Sequence, residues 1–156
     1  MSIEKVRSFF SKLGIEERVR EFDVSSATVD LAAEALGCEG ARIAKSMTFE
    51  NGEETIMVVC AGDTKIDNAK FKAKFMTKAK MLSPEFLEER VGHLMGGVCP
   101  FAIKEGVKVY LDSSLKRFDV VYPACGSSNS AIGLTIPELE EYSNFSEWVD
   151  VTRPKE

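Results

Sequence analysis

The chain has one histidine and one tryptophan in 156 residues, and its four cysteines, Cys38, Cys60, Cys99 and Cys125, form no C-x-x-C pair. The lone His93 precedes Cys99 without metal-ligand spacing, so no metal centre is expected. No apolar run approaches the ~20 residues that a membrane span needs. The opening MSIEKVRSFFSKLG scatters charges among its apolar positions, which is the pattern of a helix and not of a signal peptide. Reduced thiols and a cytoplasmic location are the matching expectations. A Walker-type or G-x-G-x-x-G loop is also missing, which leaves no sequence case for a nucleotide cofactor. With no G-x-S-x-G elbow and a single histidine, the sequence also argues against a serine triad.

What is present suits one domain spanning residues 1–156. Hydrophobic residues make up 44% and charged residues 29%, ordinary values for a globular chain. A chain of this length buries roughly 70% of its unfolded surface and needs no disulfide to hold a core. The formal net charge of -5 argues against a protein that coats nucleic acid through bulk positive charge, while leaving room for a local basic patch.

Helix and strand signals alternate along the chain. Val6, Phe9, Phe10 and Leu13 fall on one helical face within Ile3–Leu13, and Gly14 is a stop. A short strand is expected over Val19–Phe22. Thr28 can cap a helix over Val29–Leu36 that ends at Gly37. Ile43–Phe49 and Thr55–Cys60 read as strands around Asn51-Gly52, a hairpin dipeptide. Glu50, Glu53 and Glu54 extend the polar stretch, so a loop longer than two residues is predicted. A helix should start near Asp67, and another should run over Pro84–Arg90. Val107–Leu111 and Phe118–Tyr122 read as strands, Pro137–Tyr142 as a helix behind the Thr135/Glu138 capping box, and Trp148–Val151 as a closing strand. Irregularly spaced strands with few long helices indicate an α+β domain around a mixed or antiparallel sheet.

Four constellations could carry chemistry. Asp63–Lys80 holds six lysines against two aspartates, a local balance of +4 that leaves the rest of the chain at -9. Within it Lys70, Lys74 and Lys78 recur every four residues and would share a helix face, either as a phosphate-contacting stripe or as a solvated surface. Lys45 lies inside the apolar strand Ile43-Ala44-Lys45-Ser46-Met47. It either faces a cavity, where it would serve an anion or a developing oxyanion, or alternates outward to solvent. Gly96-Gly97-Val98-Cys99-Pro100-Phe101 can bend sharply and offer backbone groups to a ligand, or simply turn before a strand. Gly126-Ser127-Ser128-Asn129-Ser130 can line a pocket or form a turn. A Cys99–His93 thiol–imidazole pair is conceivable, but a buried inert cysteine is the commoner case.

Taken in order, these segments resemble the YbaK/aminoacyl-tRNA-synthetase-associated domain family, which includes free-standing editing deacylases and the editing insert of bacterial prolyl-tRNA synthetases. The resemblance runs from about Val6 to Tyr142. It rests on Ala32-Ala33-Glu34-Ala35-Leu36-Gly37, Ile43–Met47, Ala61-Gly62-Asp63, the lysine-rich helix, Gly96–Phe101, Gly126–Ala131 and Leu134–Leu139. It implies a small α+β domain, with helices around a mixed, barrel-like sheet, and no metal or cofactor. The implied activity is hydrolysis of the ester joining a wrong amino acid to the 3′ end of a tRNA, with tRNA(Pro) carrying Cys or Ala as the expected substrate. In the same terms Lys45 is the catalytic residue. Gly96, Gly97, Val98, Cys99, Pro100, Ser127, Ser128 and Asn129 bind substrate, and Lys70, Lys74 and Lys78 contact tRNA. The partners would be an aminoacylated tRNA and prolyl-tRNA synthetase, with no membrane involved. The competing expectation is a non-catalytic module of the same fold that binds tRNA or a synthetase.

Overall fold

The computed structural model describes residues 2–155. Helix α1 (Ser2–Lys12) buries Val6 and Phe10 on its inner face. Strand β1 (Arg20–Glu21) leads to α2 (Val29–Leu36), where the Thr28 hydroxyl accepts from the Leu31 amide and the helix stops at Gly37. A long hairpin of β2 (Ile43–Asn51) and β3 (Glu54–Ala61) follows, then β4 (Thr64–Ile66) and α3 (Asn68–Phe75). The chain continues through α4 (Leu87–Arg90), β5 (Val107–Asp112), β6 (Val120–Pro123), β7 (Ser130–Ala131), β8 (Leu134–Thr135), α5 (Ile136–Ser143), β9 (Glu147–Val149) and β10 (Thr152–Pro154).

Six strands form one mixed sheet in the order β8-β6-β2-β3-β5-β9, which curls into a half-barrel. The β2–β3 hairpin is antiparallel, whereas β6 joins β2, and β5 joins β3, in parallel. Two small antiparallel ribbons, β1–β7 and β4–β10, lie outside it. This is the mixed, barrel-like α+β architecture expected from the sequence.

The sheet has two covered faces. On one, Ala44, Met57, Val59 and Ala61 join the main core with Phe10, Phe101, Leu111 and Leu139. On the other, Phe49, Ile56 and Val58 pack against Phe71 of α3 and Val151 beside β10. A buried aspartate ties the C-terminal strand in place: Asp112 accepts from the Val151 amide at 2.9 Å and from the Thr152 hydroxyl at 2.7 Å.

Three expectations change. The hairpin strands pair as far as Asn51 and Glu54, so the loop is only Gly52-Glu53. Gly52 holds φ +67 at the first central position, which suits a type II′ hairpin and lets the polar glutamates run on into the strands. The predicted closing strand is two strands, β9 and β10, broken at Asp150 and Val151. Finally, α3 ends at Phe75 because Met76 takes a left-handed conformation with φ 63, so Lys78 lies beyond the helix and shares no helix face with Lys70 and Lys74.

The capping box of α5 has the expected form. Thr135 Oγ1 accepts from the Glu138 amide, and Glu138 Oε1 accepts from the Thr135 amide at 2.9 Å. Arg18 then forks onto the same carboxylate, with Nη1 donating to Oε2 at 2.8 Å and Nη2 to Oε1 at 2.9 Å. The Arg18 hydrogen bonds, followed by the Thr135 amide, bring the Glu138 carboxyl down from 4.5 to about 2. A carboxyl depressed on folding stabilises the protein above its unfolded pKa and loses that contribution as the pH falls through the folded one. Denaturant titrations across acidic pH should therefore show Glu138→Gln less stable by roughly 1–2 kcal/mol near neutrality. The gap should close between pH 4.5 and about 2; a gap that stays constant across this window would disprove the linkage.

Candidate functional site

The clearest cavity lies along an edge of β2. It encloses about 220 Å³, and residues Ile43 to Thr48 all line it. Successive strand residues point to opposite faces, so a cavity bordered by six in a row follows the strand's edge and not one face. The pairing explains the opening. On that edge β6 pairs with Ile43 and Ala44 and goes no further. At the other end the Leu82 amide donates to the Thr48 carbonyl at 3.0 Å, and the Glu50 amide donates to the Lys80 carbonyl at 2.9 Å. Between these pairings, residues 45–47 meet no strand on this edge.

Alternation then assigns each group. Thr48 and Glu50 use this edge for their backbone bonds, so Ser46, two residues earlier, directs its own N–H and C=O into the gap. The buried Ser46 hydroxyl has no hydrogen-bond partner among the described residues. The rest of the lining includes Ser26, Ala27 and the first turn of α2, Gly96 and Val98, and Tyr122, Ala124, Ser130 and Ala131. Met81 and Met95 border the cavity while remaining 57% and 67% exposed, so they form an apolar mouth.

Lys45 is half-buried and lies opposite Cys60 in the hairpin. Its strand face is the one that carries Met47 and Phe49, and α3 and the β4–β10 ribbon cover that face. It is therefore not a solvent face. The Lys45 ammonium donates to the Thr64 carbonyl in β4. Burial lowers its proton affinity below that of an ordinary lysine, with a smaller push from Lys155. Lys45 thus borders the cavity and is also anchored to the neighbouring ribbon.

The glycine–proline bend is fastened to the serine-rich turn. The Gly126 amide donates to the Gly97 carbonyl at 3.0 Å. A Cβ on Gly97 would stand 2.5 Å from the Gly126 carbonyl carbon, so only glycine permits this approach. Gly96 and Val98 face the cavity, while Gly97, Cys99 and Pro100 do not line it. Ser127, Ser128 and Asn129 also lie outside the lining and brace it instead. Ser127 Oγ bonds to Asn129 Oδ1 and Ser130 Oγ at 2.8 Å, Asn129 Nδ2 donates to the Phe22 carbonyl, and the Ser128 carbonyl accepts from the Ser26 amide at 2.7 Å.

His93 and Cys99 do meet, with Sγ 3.5 Å from Nε2. Nε2 also lies 2.7 Å from the Phe101 carbonyl, a contact that requires its proton and removes the lone pair a general base would use. Burial holds the imidazole below its ordinary pKa and pushes the Cys99 thiol up to about 12, so neither group is poised for nucleophilic chemistry.

The expected lysine stripe is divided. Lys70 pairs with Asp150 at 3.0 Å and Lys74 with Glu147 at 2.9 Å, whereas Lys78 is exposed and has no ion pair among the described residues. Sequence reasoning assigned no site role to Ser46, Tyr122 or the two methionines at the mouth, whereas Ser130 stood in the serine-rich segment read as able to line a pocket. Of those without a role, only Ser46 left a trace, as the small polar neighbour of the strand lysine.

Comparison with known proteins follows the same geometry. The family described as the aminoacyl-tRNA editing domain matches residues 24–142. Uncharacterized protein YwhH of Bacillus subtilis (strain 168) is 51% identical over 154 residues, covering 98% of each chain. A proline–tRNA ligase of Limosilactobacillus fermentum is 31% identical over 125 residues, covering 74% of this chain but 22% of the ligase. A crystal structure of a proposed trans-editing enzyme for prolyl-tRNA synthetase superposes with a TM-score of 0.87 at 25% identity, covering 97% of both chains. This chain belongs to the aminoacyl-tRNA editing domain family.

Proposed function

We propose that the chain is a trans-acting deacylase that hydrolyses the ester of a mischarged tRNA, with tRNA(Pro) bearing a small amino acid such as Cys or Ala as its substrate. The observation that carries this reading is the cavity of about 220 Å³ on the unpaired edge of β2, bordered at once by Lys45, Ser46 and the glycine bend. The volume lies below the ~300–1,000 Å³ of pockets that enclose a whole drug-sized ligand. It suits an aminoacyl group whose attached nucleotide stays outside, against the mouth formed by Met81 and Met95.

An aminoacyl ester is already activated, so a positioned water can attack it without a protein nucleophile. The new bond joins the water oxygen to the carbonyl carbon, the ester C–O bond breaks, and the leaving ribose oxygen takes the proton. Negative charge gathers on the carbonyl oxygen during the attack. The Ser46 N–H is one donor to it, and the Lys45 ammonium becomes a second on exchanging the Thr64 carbonyl for the substrate, one good donor being worth about 3 kcal/mol. Gly96 and Val98 hold the aminoacyl end, supported by Gly97, Cys99 and Pro100 and by Ser127, Ser128 and Asn129. Of Lys70, Lys74 and Lys78, Lys78 faces the tRNA, while Lys70 and Lys74 stay with Asp150 and Glu147. The cytoplasm, where charged tRNA is used, is the matching compartment.

A panel of tRNAs mischarged with Ala, Cys, Ser, Thr or Pro tests the activity. At least one should lose its amino acid well above the buffer rate. Lys45→Ala should lower kcat/KM by about 10²–10³. After the uncatalysed rate is subtracted, the wild-type rate should fall at alkaline pH below the ordinary lysine range, because the folded protein holds that proton less tightly. RNA affinity without hydrolysis of any member would leave a binding module.

Thiol labelling separates this mechanism from one that uses cysteine. In the native protein a maleimide should reach the half-buried Cys38 and spare the buried Cys60, Cys99 and Cys125, leaving deacylation intact. Loss of activity in step with labelling of Cys99 would overturn the water-attack scheme.

A further inference from the structure

Two of the lysines to which the sequence points, Lys70 and Lys74, are already paired, whereas the neighbouring ribbon gathers three cations that have no ion pair among the described residues. In β4–β10, Lys65 stands directly opposite Arg153, and both are exposed. Directly opposed residues of an antiparallel pair project to the same side, so two like charges face each other at a cross-strand separation of about 5 Å. Lys155 follows two residues after Arg153, about 7 Å along the strand, and its amide donates to the Asp63 carbonyl at 2.9 Å. The side chains of Lys65, Arg153 and Lys155 thus crowd one outer face.

The carboxylates that could neutralise this face are engaged elsewhere. Asp63 is held by the Arg117 fork at 2.6 and 3.0 Å. Asp67 caps α3 by accepting from the Lys70 amide at 3.0 Å and acts on Arg153 only through space, without an ion pair. Asp150 takes the Lys70 ammonium. Among the described residues, no carboxylate lies within ion-pair distance of Lys65, Arg153 or Lys155. The ribbon is also held firmly, because Thr152 and the preceding Val151 amide bond to the buried Asp112.

The ribbon is continuous with the candidate site. Thr64, whose carbonyl receives the Lys45 ammonium, opens β4 immediately before Lys65. Burial is the main cause of the lowered proton affinity of Lys45, and Lys155 adds a smaller repulsion, which places that cation within electrostatic reach of the site. A path of positive charge therefore runs from the edge of the cavity outward across Lys65, Arg153 and Lys155.

We infer that the outer face of the β4–β10 ribbon, built from Lys65, Arg153 and Lys155, is the docking track for the phosphodiester backbone of the tRNA acceptor arm. The inference rests on the deacylase reading for the identity of the RNA. Three unpaired cations spaced about 5–7 Å apart match a repeating phosphate chain, and relief of the Lys65–Arg153 repulsion by a bound anion favours the complex. The chain's net charge of -5 repels RNA elsewhere, so this face also orients the approach.

The test compares two triple variants of the full chain, Lys65→Gln/Arg153→Gln/Lys155→Gln and Lys70→Gln/Lys74→Gln/Lys78→Gln. Affinity for uncharged tRNA is read by fluorescence anisotropy across a salt series. The ribbon variant should weaken binding by more than about tenfold near 0.1 M salt and flatten the log K against log salt slope by about 2–3. The α3 variant should flatten it by about 1, because two of its three cations are already neutralised. A thermal midpoint equal to or above wild type shows that the ribbon variant is folded, as expected on removing facing like charges. An unchanged slope in the ribbon variant, or poly-glutamate binding as tightly as tRNA, overturns the track. Deacylation separates the two readings. The ribbon variant should lose rate on subsaturating charged tRNA yet match wild type on 3′-aminoacyl-adenosine, which has no backbone to dock. If the slope changes but wild type hydrolyses no ester, the track stands and the deacylase fails; the reverse pattern removes the track alone.

Discussion

The site depends on a strand that is paired at both ends of one edge and open in the middle. β6 reaches β2 only through Tyr122 and Pro123, and a proline has no N–H with which to extend a ladder. The segment ending at Leu82 takes up the edge again at Thr48. Three residues remain between, and an unpaired backbone edge inside a folded protein is costly unless something occupies it. The first turn of α2, the glycine bend and β7 close around that edge without pairing with it. The cavity is thus a consequence of sheet topology, and main-chain groups of β2, held by the hairpin behind them, are among the polar groups that face it.

The same alternation explains how one strand can serve two environments. Ser46 belongs to the face of the main core, and Lys45 to the face that α3 and β10 cover. A lysine in such a place would be strongly disfavoured if it ended in hydrocarbon, and the Thr64 carbonyl supplies the acceptor it needs. Because β4 delivers that carbonyl and β10 pairs with β4, the ammonium's position is coupled to the C-terminal strand. Asp112, buried beneath it, fixes that strand to the central sheet. Cation, ribbon and sheet form one chain of contacts.

Much of the fold was legible because its signals are local. The Thr28 cap and the Thr135/Glu138 capping box each occupy a few consecutive residues and appear where they were read, and Asn51-Gly52 marks the hairpin although its loop is the shorter Gly52-Glu53. The misreadings share a cause. Met76 ends α3 in a left-handed conformation that no glycine announces, so the lysine spacing looked continuous through Lys78. The ribbons β1–β7 and β4–β10 have two or three residues per strand, too few for a periodicity, and exist only through distant partners. The site divides similarly: Lys45, Gly96 and Val98 stand out by type, whereas Ser46, Tyr122 and Ser130 reach the cavity only through the way the sheet closes.

The family match ends at residue 142, before β9 and β10 begin. β9 nevertheless completes the sheet through β5, and β10, paired with β4, helps to cover the face that holds Lys45. The segment beyond the match is therefore part of the body that positions the site. An acidic chain that docked RNA through its most lysine-rich stretch would have to break the Lys70–Asp150 and Lys74–Glu147 pairs first. Cations that have no carboxylate to give up bind phosphate without that loss, and counterion release then favours them over paired lysines of equal formal charge. By that reasoning, unpaired charge is a better guide than lysine count to where an anionic polymer would bind. In this fold three such cations cluster beside the half-buried ammonium, whereas α3 holds two of its lysines in ion pairs.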